Sequence, residues 1–300
     1  MVESKLWVWL VMFGGVMGIY ALFLRINLAI KATVVYMFAS CFLSAAPYIA
    51  FTSYVVLIAC VYFYIVCLQV EDWTPVRNVL LASVALNLLL LFMQAIGKDA
   101  LCNFGIKDRT CFGVVGNVMQ LKSAIIISVA FLIAFIKDKG LLEWVIFTAI
   151  ITAIWYLFTH PGIKYFGYAR GGVWLETIRL ANMRPWFGWG IGTYKSIFPA
   201  LGKGAFIGEG AWMQAHNDWL QILFEAGRIG FVLVMAIFVR LFSGLKKINP
   251  FALTGLILMA IDMTVHFPTR QTQCVLIVIA FIAFCNQQIN QHKEGMCPSI

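Results

Sequence analysis

Long apolar runs, broken by brief polar interruptions, account for most of this chain. Nine runs approach spanning length, at about 6–24, 28–46, 50–68, 78–96, 118–136, 141–158, 229–244, 251–267 and 273–286. A hydrocarbon layer about 30 Å thick is crossed by about 20 apolar residues in a helix. Backbone groups cannot remain unpaired there, so helices rather than open sheets must do the crossing. A membrane β-barrel would show alternating segments of about ten residues instead. The pattern predicts an all-α membrane protein, a polytopic helical bundle of about nine spans. Only Ala46, Pro47 and Tyr48 separate the second run from the third, and the last three runs are short enough to ask for tilt or a thin bilayer. The first run, Leu6 to Leu24, is closed by Arg25 without a small-residue cleavage site and reads as a retained anchor.

One segment departs from this pattern. Tyr168 to Phe231 is polar and rich in glycine, and it holds five of the ten Trp and one of the four His. It divides the chain into N-terminal helices (1–158), a long loop with short amphipathic helices (159–228), and C-terminal helices with a tail (229–300). From Gly172 to Met183 the residues Val173, Trp174, Leu175, Ile178 and Ala181 can share one helical face, with Glu176, Arg179 and Asn182 opposite. That is the pattern of a helix lying in the membrane interface, where Trp is at home; the plainer reading is a surface helix that seals a rim. Pro185 ends it. Gly188, Gly190 and Gly192 then give a tight-turning backbone that tolerates positive φ and close approach. No βαβ unit surrounds these glycines, so they are not a dinucleotide fingerprint.

Composition changes the picture little. The chain is 62% hydrophobic and 12% charged, with a formal net charge of +9. Its Lys and Arg are scattered rather than massed, which excludes a nucleic-acid footprint and suits cytoplasmic retention or an anionic substrate. Arg25, Lys31, Arg77, Lys137, Lys139, Arg240, Lys246, Lys247 and Lys293 gather on one side of the predicted bundle, against Lys5, Lys98, Lys107, Arg109 and Arg270 on the other. The positive-inside rule makes that side cytoplasmic and turns the central segment outward. Of the eight Cys, Cys102 and Cys111 alone fall in a predicted outward loop, where their separation permits a loop-closing disulfide. The others lack metal-ligand spacing, and no metal site is expected.

Candidate chemistry concentrates near the end of the central segment. His216 is flanked by Asn217 and Asp218, at the top of a helix whose lower turns carry Glu225 and Arg228. A lone His is commonly structural, but imidazole accepts a proton near neutral pH and a neighbouring carboxylate can orient it. Asp262 and His266 share a face of the eighth run, either as a mutually satisfied polar pair or as a functional site inside the membrane. Lys122, near the outer end of the fifth run, can snorkel to the interface or point into a cavity.

Several ordered elements together resemble a known family. Arg170 and Trp174, then Pro185-x-x-Gly188-x-Gly190, then His216-Asn217, Leu220, Glu225-x-Gly227 and Gly230 are similar to the signature of the O-antigen ligase and O-antigen polymerase superfamily. Gly116-Asn117 with Leu121 resembles a second, weaker family feature. The resemblance implies a GT-C-like helical fold in the bacterial inner (cytoplasmic) membrane, with the active loop facing the periplasm. It implies metal-independent transfer of a glycan from an undecaprenyl-diphosphate carrier, without cofactor, to lipid A–core in the ligases or to a second lipid-linked glycan in the polymerases. In its terms Arg170 holds the departing diphosphate with Arg184 or Lys164 as helpers, since a guanidinium binds phosphate oxygens bidentately. His216 is the base or orienter of the acceptor, with Asn217 beside it. Glu225 supports the site, and Gly188 and Gly190 shape the loop. The chain departs from the family in having fewer spans and no Ser-Arg-Gly step, for which Thr159-His160-Pro161-Gly162 and Lys164 are the nearest polar substitutes. A transporter that binds the lipid-linked glycan without chemistry is the alternative outside the enzyme class.

Overall fold

The computed structural model describes residues 2–24, 26–95, 118–135, 168–202 and 212–295. The predicted span 141–158, Lys164, Cys102 and Cys111 lie outside them. Among the described residues the structure is helical throughout, without strands. Ten α-helices follow in order: α1 Val2–Phe23, α2 Leu28–Phe42, α3 Pro47–Cys67, α4 Thr74–Ala95, α5 Val118–Ile133, α6 Tyr168–Met183, α7 Tyr194–Leu201, α8 Asp218–Leu245, α9 Pro250–Val265 and α10 Thr272–Lys293. A 3-10 turn, Pro268–Arg270, joins the last two. Helices occur at eight of the nine predicted runs. Three of them, α3, α8 and α10, are long and apolar enough to cross a membrane, and α1, α2, α4, α5 and α9 contribute shorter apolar stretches.

Helix boundaries follow local chemistry. Asn27 caps α2 by accepting the Ala29 N–H at 2.8 Å, and Pro47 opens α3, where a missing N–H costs nothing. Asn249 caps α9 by accepting from Ala252 N at 2.9 Å, again with proline in the first turn. The apolar faces are not all turned inward. Trp9, Phe13, Val16 and Tyr20 form an exposed stripe at helical spacing along α1, and Val56, Val66, Val79 and Leu86 are exposed on α3 and α4. Large apolar surfaces of this extent suit lipid and not water.

The chain forms two compact units, each discontinuous in sequence. The first comprises 1–68 and 159–243, and the second 69–158 and 244–300. In the first, Met37, Cys41, Phe51, Tyr54 and Ile58 from α2 and α3 pack with Ala21 of α1 and Ala226 of α8. A second cluster there joins Val173, Leu180 and Ala181 of α6 to Trp189, Tyr194, Phe198, Ala215 and Phe224. In the second unit Trp73 packs edge-on against Phe131 and Phe284, and its indole N–H donates to Gln287 Oε1 at 2.6 Å.

Helices α5 and α9 approach closely at Gly255. A Cβ there would run into the Ala130 carbonyl oxygen and touch the Phe281 ring. Overpacking of this kind costs about 1–3 kcal/mol because backbone has to move. Gly255→Ala is therefore expected to lower the thermal unfolding midpoint in detergent, and an unchanged midpoint would show that the two helices are not held at this separation.

Candidate functional site

The central segment is built around an interruption in α8. Gly227 adopts φ 65° and ψ −171°, outside helical geometry, and breaks the helix near its start. In an intact helix the N–H groups of residues 228 and 229 would bond the carbonyls of 224 and 225. The break releases all four groups, and the chain between Pro185 and Gly190 takes them up. Trp189 N donates to Phe224 O at 3.0 Å and Gly190 N to Glu225 O at 2.9 Å. In return Arg228 N donates to Pro185 O at 2.8 Å and Ile229 N to Trp186 O at 3.4 Å. The Tyr36 hydroxyl of α2 covers the next released carbonyl, reaching Ala226 O at 2.5 Å and Trp186 O at 3.1 Å.

Two glycines make this approach possible. Gly188, at φ 68°, faces Gly227 so closely that a Cβ on it would lie 2.5 Å from Glu225 O and 2.6 Å from Gly227 N. A side chain at either position would meet backbone, which cannot swing aside. Gly190 instead makes room for Ser44 at the end of α2, whose hydroxyl donates to Trp189 O at 2.9 Å while Ala45 N donates to the same oxygen at 3.0 Å.

Glu225 completes the junction. It is 1% exposed. Its carboxylate accepts from Gly192 N at 2.8 Å and Tyr194 N at 3.3 Å, so it orders the turn that opens α7. It also accepts from Gln221 Nε2 at 3.1 Å, and Gln221 Oε1 in turn accepts from Ala215 N at 3.1 Å. One carboxylate thus links the glycine turn to the residue before His216. Hydrogen bonds to an ionised acceptor are roughly twice as strong as neutral ones.

His216 itself sits at φ 51°, and it is the one non-glycine residue with positive φ among the described residues. Such backbone is uncommon and is held by its surroundings. Its ring lies edge-on to Trp212, with centroids 5.2 Å apart. Asn217 caps α8, its Oδ1 accepting from Leu220 N at 3.0 Å, and Asp218 occupies the first turn, where the helix dipole favours negative charge.

Helix α6 brings in the arginines. Arg170 is buried, at 7% exposure. One turn on, Trp174 Nε1 donates to Ala215 O at 2.9 Å, so the start of α6 is fastened beside His216. Thr177 bonds Val173 O at 2.7 Å and lies 2.9 Å from the Tyr194 hydroxyl, whose burial pushes the phenol pKa up and keeps it neutral. Arg184 stays exposed, with its guanidinium 4.8 Å from the Trp189 ring and donating to Leu43 O at 3.1 Å. Arg228 is exposed as well and lies over Trp186 at 5.7 Å.

The faces of α6 differ from the expected ones. Leu175 and Ile178 point outward at 71% and 39% exposure, while Glu176 is turned in and pairs with Arg179 at 2.6 Å. The buried stripe is Arg170, Val173, Thr177, Leu180 and Ala181. The reason is geometric: at 3.6 residues per turn Leu175 stands about 200° around the helix from Val173, so the two cannot share a face. The sequence also concealed Gln221, Tyr36 and Ser44. Gln221 carried a signal, standing four residues before Glu225 on the same face; the other two carried none.

Neither a family model nor a curated protein sequence matches this chain. The site therefore stands on its own geometry. It comprises a buried guanidinium, an imidazole on constrained backbone and a carboxylate that fixes the turn between them. No group of three or more His, Cys, Asp or Glu suited to a metal ion occurs among the described residues.

Replacing Glu225 by Ala would leave three donors without their acceptor, the two buried ones at about 1–3 kcal/mol each. Glu225→Ala is expected to cost ~3 kcal/mol or more in equilibrium unfolding, and Glu225→Gln distinctly less because one oxygen remains. Equal losses in the two variants would show that the carboxylate does not serve as this acceptor.

Proposed function

We propose that this chain is a multi-pass membrane glycosyltransferase of the O-antigen ligase and polymerase type. It moves a glycan from an undecaprenyl-diphosphate carrier to an acceptor hydroxyl at the outer face of the bacterial inner membrane, with lipid A–core as the ligase acceptor. The observation that carries the reading is the joining of α6 to His216. Trp174, one turn from Arg170, bonds the residue next to His216, so a phosphate-binding cation and a candidate base belong to one packed segment.

The chemistry follows from the two groups. The acceptor oxygen forms a bond to the anomeric carbon as the bond from that carbon to the phosphate oxygen breaks. The departing diphosphate gathers negative charge, and the fixed positive charge of Arg170 in a largely water-excluded setting stabilises it. The acceptor hydroxyl gives its proton to His216. Arg184, exposed at the loop, is the helper assigned to the carrier's phosphates in this reading. Glu225 and the broken turn of α8 hydrogen-bond the backbone between Gly188 and Tyr194. Lys164, Asn217, Gly188 and Gly190 remain assigned to substrate binding or loop shape, with Asn217 acting through the position it gives His216.

Reconstitution with an undecaprenyl-diphosphate glycan tests this, with lipid A–core and a second lipid-linked glycan offered separately as acceptors. Wild type is expected to turn over on one of them, which names the branch. His216→Ala is expected to lose ~10²–10⁴-fold, and Arg170→Ala ~10²–10³-fold, with unfolding midpoints close to wild type for His216→Ala. Donor binding without turnover on either acceptor, unchanged by His216→Ala, would overturn the enzyme reading in favour of a transporter.

A further inference from the structure

The outer face of α6 takes no part in the site above. Leu175, Ile178 and Met183 are exposed on it, and the turn that follows adds exposed Trp186 and Phe187. Phe187 is held in place by stacking on Tyr36 of α2, with ring centroids 6.2 Å apart. A run of large apolar side chains on the outside of a fold marks a contact surface.

The depth of this surface is set by α8. Arg228 N donates to Pro185 O at 2.8 Å and Ile229 N to Trp186 O at 3.4 Å. These bonds fasten the turn carrying Trp186 and Phe187 at the level of Arg228. From Ile229 to Leu245 the helix then continues with Arg240 as its one charged residue. That stretch rises about 26 Å, close to the thickness of a hydrocarbon layer. Ile229 and Val232, at its start, are already exposed. Arg228 therefore stands where hydrocarbon gives way to headgroups, and the end of α6 stands there with it.

Charge at this level has one sign. The carboxylates of the central segment among the described residues, Glu176, Asp218 and Glu225, are all buried. Arg179, Arg184, Lys195 and Arg228 are exposed. Arg179 is paired with Glu176. The Arg228 guanidinium lies 5.7 Å from the Trp186 ring and makes one long bond, from Nη2 to Asn182 Oδ1 at 3.4 Å. No carboxylate neutralises it among the described residues.

We propose that the outer face of α6 and the Trp186 turn form a docking surface for anionic phospholipid. Arg228 takes the lipid phosphate, which a guanidinium grips through two N–H groups. Trp186 and Phe187 lie at the base of the headgroups, the level that amphipathic rings prefer. Leu175, Ile178 and Met183 meet the upper acyl chains, so α6 rests in the interface on the face opposite its buried stripe. This surface stands whether or not the chain transfers a glycan, since neither Arg228 nor Trp186 has a part in that chemistry.

The test uses the full chain in vesicles of phosphatidylcholine and phosphatidylglycerol, with bromine on the acyl chains of one lipid or the other. Bromine quenches a nearby indole, and the emission of Trp186 is the difference between wild type and Trp186→Phe. Brominated phosphatidylglycerol is expected to half-quench that emission at a mole fraction about 5-fold lower than brominated phosphatidylcholine, the effect of one basic residue near an anionic surface. Arg228→Gln is expected to bring the ratio close to one with Trp186 still quenched, and Arg228→Lys to keep most of the preference. Quenching by aqueous iodide and by neither lipid would overturn the proposal by placing the turn in water. Protection from iodide and from both lipids would overturn it in favour of a protein partner. Equal quenching by the two lipids in wild type would also overturn it and leave a surface without headgroup selectivity.

Discussion

A broken helical turn is the constraint on which the central segment depends. At Gly227 the α8 backbone gives up the hydrogen bonds between residues 228 and 224 and between 229 and 225, and the Pro185–Gly190 chain supplies replacements for each. Unpaired backbone is especially costly where water is scarce. The break and the loop therefore require one another. Gly188 and Gly227 lie back to back at the crossing, and neither has space for a side chain. The Tyr36 hydroxyl and Ser44 extend the junction to α2, so the polar segment is secured to the helices beneath it by hydrogen bonds between residues far apart in sequence.

The other features of the site follow from this junction. Once the loop is seated, Glu225 lies under the turn at Gly192 and accepts its N–H groups. Gln221 carries that order upward to Ala215, and Trp174 carries it across to α6. His216 then occupies backbone that few side chains adopt, between a bonded residue and the cap of α8. Strain of this kind persists where surrounding structure determines it and is a common attribute of functional positions. Arg170, buried one turn from Trp174, and His216, next to the residue Trp174 bonds, are the two groups on which the proposed transfer chemistry rests. The hydrogen-bonded cluster of Ser123, Asp262 and His266 lies in the second unit and shares none of these contacts.

Much of this was legible in the sequence, for identifiable reasons. Apolar run length located the helices because the pattern is dictated by the medium, and helices stand at the eight predicted runs the described residues cover. The glycines at 188, 190 and 192 announced tight backbone, and all three have positive φ. The pairing of Gly188 with Gly227 was not legible, since nothing in either residue names its partner across the fold. Val173, Leu175 and Ile178 of α6 were grouped on one face, but residues two apart stand about 200° apart around a helix, and Val173 is buried while Leu175 and Ile178 are exposed. Asp262 and His266 were legible as a pair from their spacing of one helical turn, but Ser123, on another helix, was not. Helix periodicity shows which residues share a face and is silent on what that face meets.

The most direct test of the junction is amide hydrogen exchange in the wild-type chain. If the loop replaces the lost helical bonds, the N–H groups of Trp189, Gly190 and Arg228 are protected together and exchange as slowly as those of the neighbouring turns of α8. Rapid exchange at Trp189 and Gly190, with α8 still protected, would contradict the account: the loop would then be resting against the helix and not completing it.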